Sequence, residues 1–427
     1  MLMRFGVANY RSIREYQEIS LVASALKDAG AAPIVIDGVR EPILPFLTIY
    51  GANASGKTNL LRAFAFFRDS ILKSHRINTP TGNISRRVFA LDSHSKARPS
   101  RFDCDFVVED VRYHYGFSAT DEEFEEEWLY AFPKGNRQKL FSRERNNKIS
   151  FGKNLKGKNS TIASLMRPNS LFLSAAAQNG HDQLLVLYSY FESNWHGVVG
   201  AGVDVRKLSA LVSTRGVDDR LMSFLKHADI GIKSARIEEE TAPAEFERIV
   251  ERFQNVISEE FSSSEKIQFE FQTKRPKVAF GHQTEGDEEF FLGLASESRG
   301  TLRLLDLIFP ILNVIDNGGV LFVDEIDSSL HSLLAIRLLE AFGKSDSNRR
   351  RAQLIFTTHD TNLLCSDVVR RDQVWFCEKD EYGATSIYPL TDIKTRNTDN
   401  LEKGYLQGRF GAVPFLGSIT KMLSGKT

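Results

Sequence analysis

The chain has 427 residues, 42% apolar and 26% charged, a globular make-up with room for two or three domains rather than a fibrous or disordered one. Lysine plus arginine equals aspartate plus glutamate at 55 each, so net charge gives no reason to expect nonspecific nucleic-acid or membrane binding, and charge asymmetry must be sought locally. The three cysteines, Cys104, Cys365 and Cys377, have no C-x-x-C spacing, which argues against a disulfide framework or a thiolate zinc site.

Residues 1–25 predict a strand pair, Arg4-Phe5-Gly6-Val7 and Ile19-Ser20-Leu21-Val22. Residues 51–58, Gly-Ala-Asn-Ala-Ser-Gly-Lys-Thr, satisfy G-x-x-x-x-G-K-[ST] without exception. The flanks suit that motif. Phe46-Leu47-Thr48-Ile49-Tyr50 is an apolar run for a buried strand. From Thr58 to about Lys73, Leu60, Leu61, Phe64, Phe67 and Ile71 share one helical face. Glycines let the backbone curl its amides onto phosphate oxygens, and the helix start adds partial positive charge. Asn53, Ala54, Ser55, Gly56, Lys57, Thr58 and Asn59 are therefore expected to hold a nucleotide. Lys57 would neutralise the β and γ phosphates, and the Thr58 hydroxyl would sit on Mg²⁺.

A polar stretch, Asn78 to Arg101, reads as exposed loop. Residues 101–109 and 111–117 alternate, predicting antiparallel strands with one wet face. Residues 121–127 are acidic and 134–158 basic. Two readings of the basic run stay open: a solvated loop or hairpin, and a nucleic-acid or partner contact. From 160 to 263 the pattern is helical, at Leu184 to Phe191, Leu208 to Leu225 and Ala244 to Phe261, with no sustained heptad. Strand patterns return at Ile267-Gln-Phe-Glu-Phe and Lys277-Val-Ala-Phe.

Residues 318–325, Gly-Gly-Val-Leu-Phe-Val-Asp-Glu, predict a buried parallel strand ending in two carboxylates, a Walker B pattern. Asp324 is expected in the Mg²⁺ shell, and Glu325 as the base that orients the attacking water. A further strand, Gln353-Leu-Ile-Phe-Thr-Thr-His359-Asp360, brings His359 to the same carboxyl edge, within reach of the γ-phosphate or its water. Ser298 and Gly300 open another apolar helix. A plain helix cap and a second anion-binding helix start, serving a neighbouring protomer's nucleotide, are both open.

This order of elements resembles the ABC-type ATPases of the SMC, Rad50 and RecF kind, and within them the AAA15-like ATPases of bacterial abortive infection and phage defence. These are the RloA/AbiL type and, more distantly, the OLD type. The resemblance rests on Phe5-Gly-Val-Ala-Asn-Tyr-Arg-Ser-Ile13, the 51–59 loop, Ser298-Arg-Gly-Thr-Leu-Arg-Leu-Leu305, Val323-Asp-Glu-Ile-Asp-Ser-Ser-Leu-His331, Phe356-Thr-Thr-His-Asp360 and the 400–415 tail. It implies an α/β fold: a P-loop NTPase head of ABC type with an antiparallel β subdomain and an inserted helical or lid region. Residues 1–130 and 286–395 would form the head, 131–285 the insertion and 396–427 a tail.

The resemblance also implies ATP and Mg²⁺, and a homodimer or higher oligomer with ATP sandwiched between heads. Ser298 and Gly300 would then meet the γ-phosphate held by the other copy's Lys57. Asp327 falls at the family's D-loop, Arg11 is a candidate nucleotide contact and Gln178 a candidate for the catalytic glutamine loop. Arg299 departs from the small residue of many relatives. The function expected is a slow ATPase, the sensor and scaffold of an anti-phage system with a separately encoded, Toprim-like (RloB-type) effector. The alternative is a RecF/SMC-like repair ATPase that binds DNA directly. An OLD-type nuclease is disfavoured, because 68 positions (427 − 359) follow His359, fewer than the roughly 100 of a Toprim domain. Asp103-Cys-Asp105 has the carboxylate spacing but lies in the early meander. The tail is read as packing on the head or docking a partner. With no leader and no run near ~20 apolar residues, a cytoplasmic setting is expected.

Overall fold

The computed structural model describes the chain except residues 78, 80, 199–201, 229, 242–247, 250–251, 253–273, 287, 329 and 414–427. It divides into two compact units, 1–200 with 309–427, and 201–308.

In the first unit, β1 (Leu2–Ala8) and β2 (Gln17–Ser20) form the expected antiparallel pair, and β3 (Phe46–Tyr50) leads through the glycine loop into α1 (Lys57–Lys73). Next come β4 (Ser100–Val108), β5 (Val111–Ala119), β6 (Phe124–Phe132), β7 (Gln138–Arg143) and β8 (Ile149–Phe151). They complete a seven-stranded antiparallel sheet ordered β2-β1-β4-β5-β6-β7-β8. Three helices follow, α2 (Asn159–Ser164), α3 (Phe172–Gln178) and α4 (Asp182–Asn194), and then a short strand, β9 (Trp195–Val198).

The second unit holds α5 (Val205–Arg215), α6 (Asp219–His227) and a three-stranded antiparallel sheet of β10 (Ile232–Thr241), β11 (Lys274–Gln283) and β12 (Glu289–Gly293). The single helical pattern over 208–225 is two helices, because Gly216 (φ 79°) ends α5 and Asp218 caps α6 by accepting from the Leu221 amide. The helix read over 244–261 lies almost wholly outside the described residues, and the strand at 267–271 wholly so. The strand read at 277–280 is part of β11. The last helix of this unit, α7 (Arg299–Asn317), crosses the division at residues 308 and 309.

The first unit resumes with β13 (Val320–Val323), α8 (Ser332–Gly343), β14 (Gln353–Thr357), β15 (Val374–Lys379), β16 (Thr385–Pro389) and α9 (Leu401–Leu406). A six-stranded sheet runs β16-β15-β3-β14-β13-β9, parallel except for β16. The α/β class expected from the sequence is what the chain adopts.

Helix α1 lies between the two sheets. Phe64 stacks on Phe5 of β1 at 3.9 Å and on Phe322 of β13 at 4.3 Å, and Phe67 stacks on Phe117 of β5 at 5.4 Å. All five apolar positions picked out on α1 are buried. Each buried phenylalanine stabilises the sandwich by about 1.5–3 kcal/mol.

Two boundaries differ from expectation. Residue 131 lies inside β6, which pairs with β7, so 131–200 belongs with the head and the compact second unit begins at 201. That unit runs on to 308 rather than 285. Most of the basic run forms the β7–β8 hairpin, in which Arg143 is buried at 2% exposure. The wet face expected on β4 is also not what forms. Asp103 and Asp105 are each 5% exposed, Asp103 under Tyr16 and Arg101, Asp105 under Arg112 and His114. The tail over 400–413 packs on the head: Tyr405, Phe410 and Ala412 share a buried cluster with Tyr50, Val374 and Phe376. Among the described residues no helix is long and apolar enough to cross a membrane.

Candidate nucleotide-binding site

Strands β3, β14 and β13 lie side by side and parallel, with Ile49 level with Thr357 and Val323 level with Phe356. Their carboxyl ends therefore open at one edge of the sheet, where open α/β sheets take ligands. The glycine loop leaves β3 at that edge. Gly51 must be glycine because a Cβ there would meet the Cys377 carbonyl oxygen at 2.4 Å. Gly56, at φ +117°, has a left-handed backbone, and its Cβ would meet the Thr385 hydroxyl at 2.2 Å. Ala54 also takes a positive φ of 62°. Helix α1 begins at Lys57, so its unpaired amides and dipole face the loop.

The Lys57 ammonium is buried and folds back to donate to the carbonyls of Gly51 (2.6 Å) and Ala52 (3.0 Å). Burial lowers its pKa below the usual lysine value, and Cys377, Asp324, Glu325 and Asp327 act the other way. Asn53 and Ala54 are exposed, Ser55 and Gly56 buried, and Thr58 and Asn59 half-buried. The Ser55 hydroxyl is a buried oxygen with no hydrogen-bond partner, a cradle that an added polar group would complete.

The acidic pair follows β13. One buried hydroxyl, Thr357 Oγ1 at the end of β14, holds both residues: it donates to Asp324 Oδ1 and accepts from the Glu325 amide, each at 2.8 Å. Glu325 has φ 52° although it has a side chain, a backbone strain of the kind that gathers at working sites. Its carboxylate is exposed. Asp327 sits in the next turn, and its Oδ1 accepts from the His359 amide at 3.2 Å. The His359 imidazole is half-buried. Burial first, then the Lys57 charge, depress its pKa, opposed by Asp327, Glu325 and Asp324. The loop lysine and the histidine thus both stand in the field of the acidic pair and Asp327.

Not every residue read from the sequence joins them. Gln178 ends α3, where its Nε2 donates to the Tyr188 hydroxyl at 3.2 Å; that hydroxyl donates to the carbonyl of Leu72 at 3.0 Å. Leu72 lies fifteen residues along α1 from Lys57, about 22 Å at the helical rise. Gln178 is therefore at the wrong end of α1 for a glutamine-loop role. Arg11 has φ 54°; its amide donates to Arg87 and its Nε to the Tyr10 hydroxyl. Its neighbour Ser12, not singled out in the sequence, is the residue of that turn that meets the loop, at Asn59 (2.8 Å). Thr357 was missed as well, although a hydroxyl at the last position of a core strand was a signal. Ser298 and Gly300 lie in the second unit, exposed, with Ser298 capping the start of α7 through the Thr301 amide at 3.1 Å.

The family model described as "AAA domain, putative AbiEii toxin, Type IV TA system" matches residues 46–366, from the strand before the glycine loop to beyond the histidine. The chain belongs to that family. It is accordingly a P-loop ATPase-domain protein, and its AAA-domain match takes in both compact units. No curated protein matches it. Among solved structures it is similar to the SMC head domain from Thermotoga maritima (11% identity, 91% of this chain and 98% of that one, TM-score 0.35). It is also similar to the Smc head domain with a coiled coil and joint from Pyrococcus yayanosii (10% identity, 95% and 99%, TM-score 0.37).

Proposed function

We propose that this AAA-domain protein binds and hydrolyses ATP at the carboxyl edge of β3, β14 and β13. The observation that carries the reading is the Thr357 bridge. One hydroxyl fixes a carboxylate suited to a metal shell and the strained peptide that presents a second, free carboxylate, beside a phosphate-type loop. Lys57 leaves its loop carbonyls for the β and γ phosphates, amides of residues 53–59 take phosphate oxygens, and Glu325 orients and deprotonates water. His359, kept neutral, offers a hydrogen bond near the γ-phosphate. The Thr58 hydroxyl and the Asp324 carboxylate are the hard oxygens for Mg²⁺, which takes one or two protein ligands beside phosphates and would spread the charge of the transferring group.

The exposed Ser298–Gly300 helix start supports a second step: two copies closing over ATP, each lending its serine to the other's phosphate. The family description, with its toxin–antitoxin system, supports a role in bacterial anti-phage defence. There the dimer would act as nucleotide-gated sensor and scaffold for a separate effector in the cytoplasm. The test is steady-state phosphate release alongside mass measurement. Glu325→Gln should bind ATP, lose hydrolysis by on the order of 10²–10⁴-fold and accumulate as a dimer. Wild-type turnover in that variant would remove Glu325 as the base.

A further inference from the structure

Three segments far apart in sequence meet behind the glycine loop: the Asn9–Ile13 turn, the loop itself, and β16. Their meeting point is Thr385, 2% exposed. Its amide donates to the Ser12 carbonyl at 2.7 Å. Its hydroxyl lies 2.8 Å from Ser12 Oγ and 2.8 Å from the Ser55 carbonyl oxygen. Asn59 Nδ2 reaches Ser12 Oγ at 2.8 Å.

Proton counting orders these contacts. A carbonyl only accepts, so Thr385 gives its single proton to Ser55. Ser12 must then give its own to Thr385, and Asn59 supplies Ser12. The relay runs Asn59 → Ser12 → Thr385 → Ser55 with every hydroxyl donating once and accepting once. It starts and ends on the nucleotide loop and brackets Gly56, Lys57 and Thr58. A peptide group is planar and trans, so a fixed Ser55 carbonyl fixes the Gly56 amide on the opposite side of the same plane. At φ +117° glycine has wide freedom, and nothing in its own covalent structure would hold that plane.

We infer that Thr385 is a positioning residue for phosphate binding: through Ser55 it orients the Ser55–Gly56 peptide so that the Gly56 amide is presented to a nucleotide phosphate. This rests on the nucleotide reading above. It adds that the loop's geometry is set from outside the loop, by the β15–β16 hairpin and the amino-terminal turn.

The experiment is calorimetric titration of the full chain with ATP and Mg²⁺, paired with steady-state kinetics. Thr385→Val keeps the shape and removes the hydroxyl. It should weaken ATP binding about tenfold, raising KM with kcat within about twofold, the mark of lost ground-state binding. Thr385→Ser should restore affinity to within about twofold. Ser12→Ala, which cuts the relay one bond earlier, should weaken binding in the same direction and serves if the valine variant fails to fold. Wild-type affinity in Thr385→Val and Ser12→Ala overturns the assignment while leaving the nucleotide reading intact. Equal damage from Thr385→Ser and Thr385→Val overturns it too, since the methyl group and not the hydroxyl would matter. If the unaltered protein binds no ATP, the nucleotide reading falls and this assignment with it.

Discussion

One oxygen atom, Thr357 Oγ1, holds both acidic residues of the proposed catalytic site. Replacing the threonine by valine leaves Asp324 without its donor and the Glu325 amide without its acceptor, in a backbone that already costs about 1–3 kcal/mol to hold. Thr357→Val should therefore lower kcat by roughly one to two orders of magnitude, and Thr357→Ser should recover most of it; the readout is phosphate release at saturating ATP. His359 sets a pH expectation. Its pKa is depressed, so the neutral ring persists below the usual histidine midpoint of 6.5 and is lost only as the pH falls further. The acid limb of kcat/KM assigned to it should lie below 6.5 and vanish in His359→Asn. An inflection above 6.5 that depends on His359 would contradict the burial described for it.

At the scale of elements, the acidic stretch before β7 turns one carboxylate inward. Glu127, 0% exposed, accepts from the amides of Phe172 (2.6 Å) and Leu173 (3.0 Å) and from the Tyr115 hydroxyl (2.9 Å). It thereby closes the start of α3, a helix with no capping side chain of its own at Leu171. Arg143 comes alongside and ties the Ser170 and Pro168 carbonyls. Glu127→Ala leaves two helix amides and the buried Tyr115 hydroxyl without their acceptor. It should cost about 3–5 kcal/mol, measured as a shifted denaturant midpoint with little change in m.

That arrangement also shows what the sequence could and could not disclose. The glycine loop, the Asp-Glu strand end and the amphipathic α1 were legible because their chemistry is local: spacing alone puts their groups in place. The bounds of helix α3 were not, because Phe172 through Ala177 are buried on all sides and carry no periodicity. Neither was β9, four residues with a glycine, which extend along the edge of β13. Gln178, which the resemblance offered for the glutamine loop, ends a helix at the far side of α1, a placement that only packing reveals.

At the scale of the whole molecule, nucleotide is expected to be structural as well as catalytic. A ligand that binds only the folded head adds RT ln(1 + [L]/Kd), about 2.7 kcal/mol at a hundredfold excess over Kd. ATP with Mg²⁺ should raise the melting temperature of the wild-type chain and leave that of Lys57→Ala unmoved in a thermal scan. Ser298→Arg separates the two levels of the proposal. It should keep that thermal shift, since Ser298 lies outside the loop, but fail to form the ATP-dependent dimer by light scattering.

The strand order of the parallel sheet has a consequence for how the protein is made. The two neighbours of β3 are β15 and β14, and no residue of either precedes Gln353. The backbone of Leu2, at the amino end, likewise waits for the Gln353 side chain, which accepts from its amide and donates to its carbonyl. Chain elongation is directional, so β3 emerges from the ribosome with both edges open. It stays so while about 300 further residues are added, roughly 15–60 seconds at 5–20 residues per second. An apolar segment left unpaired that long invites intermolecular pairing. Yield of this protein should therefore depend on translation speed and chaperone supply more steeply than its finished stability suggests.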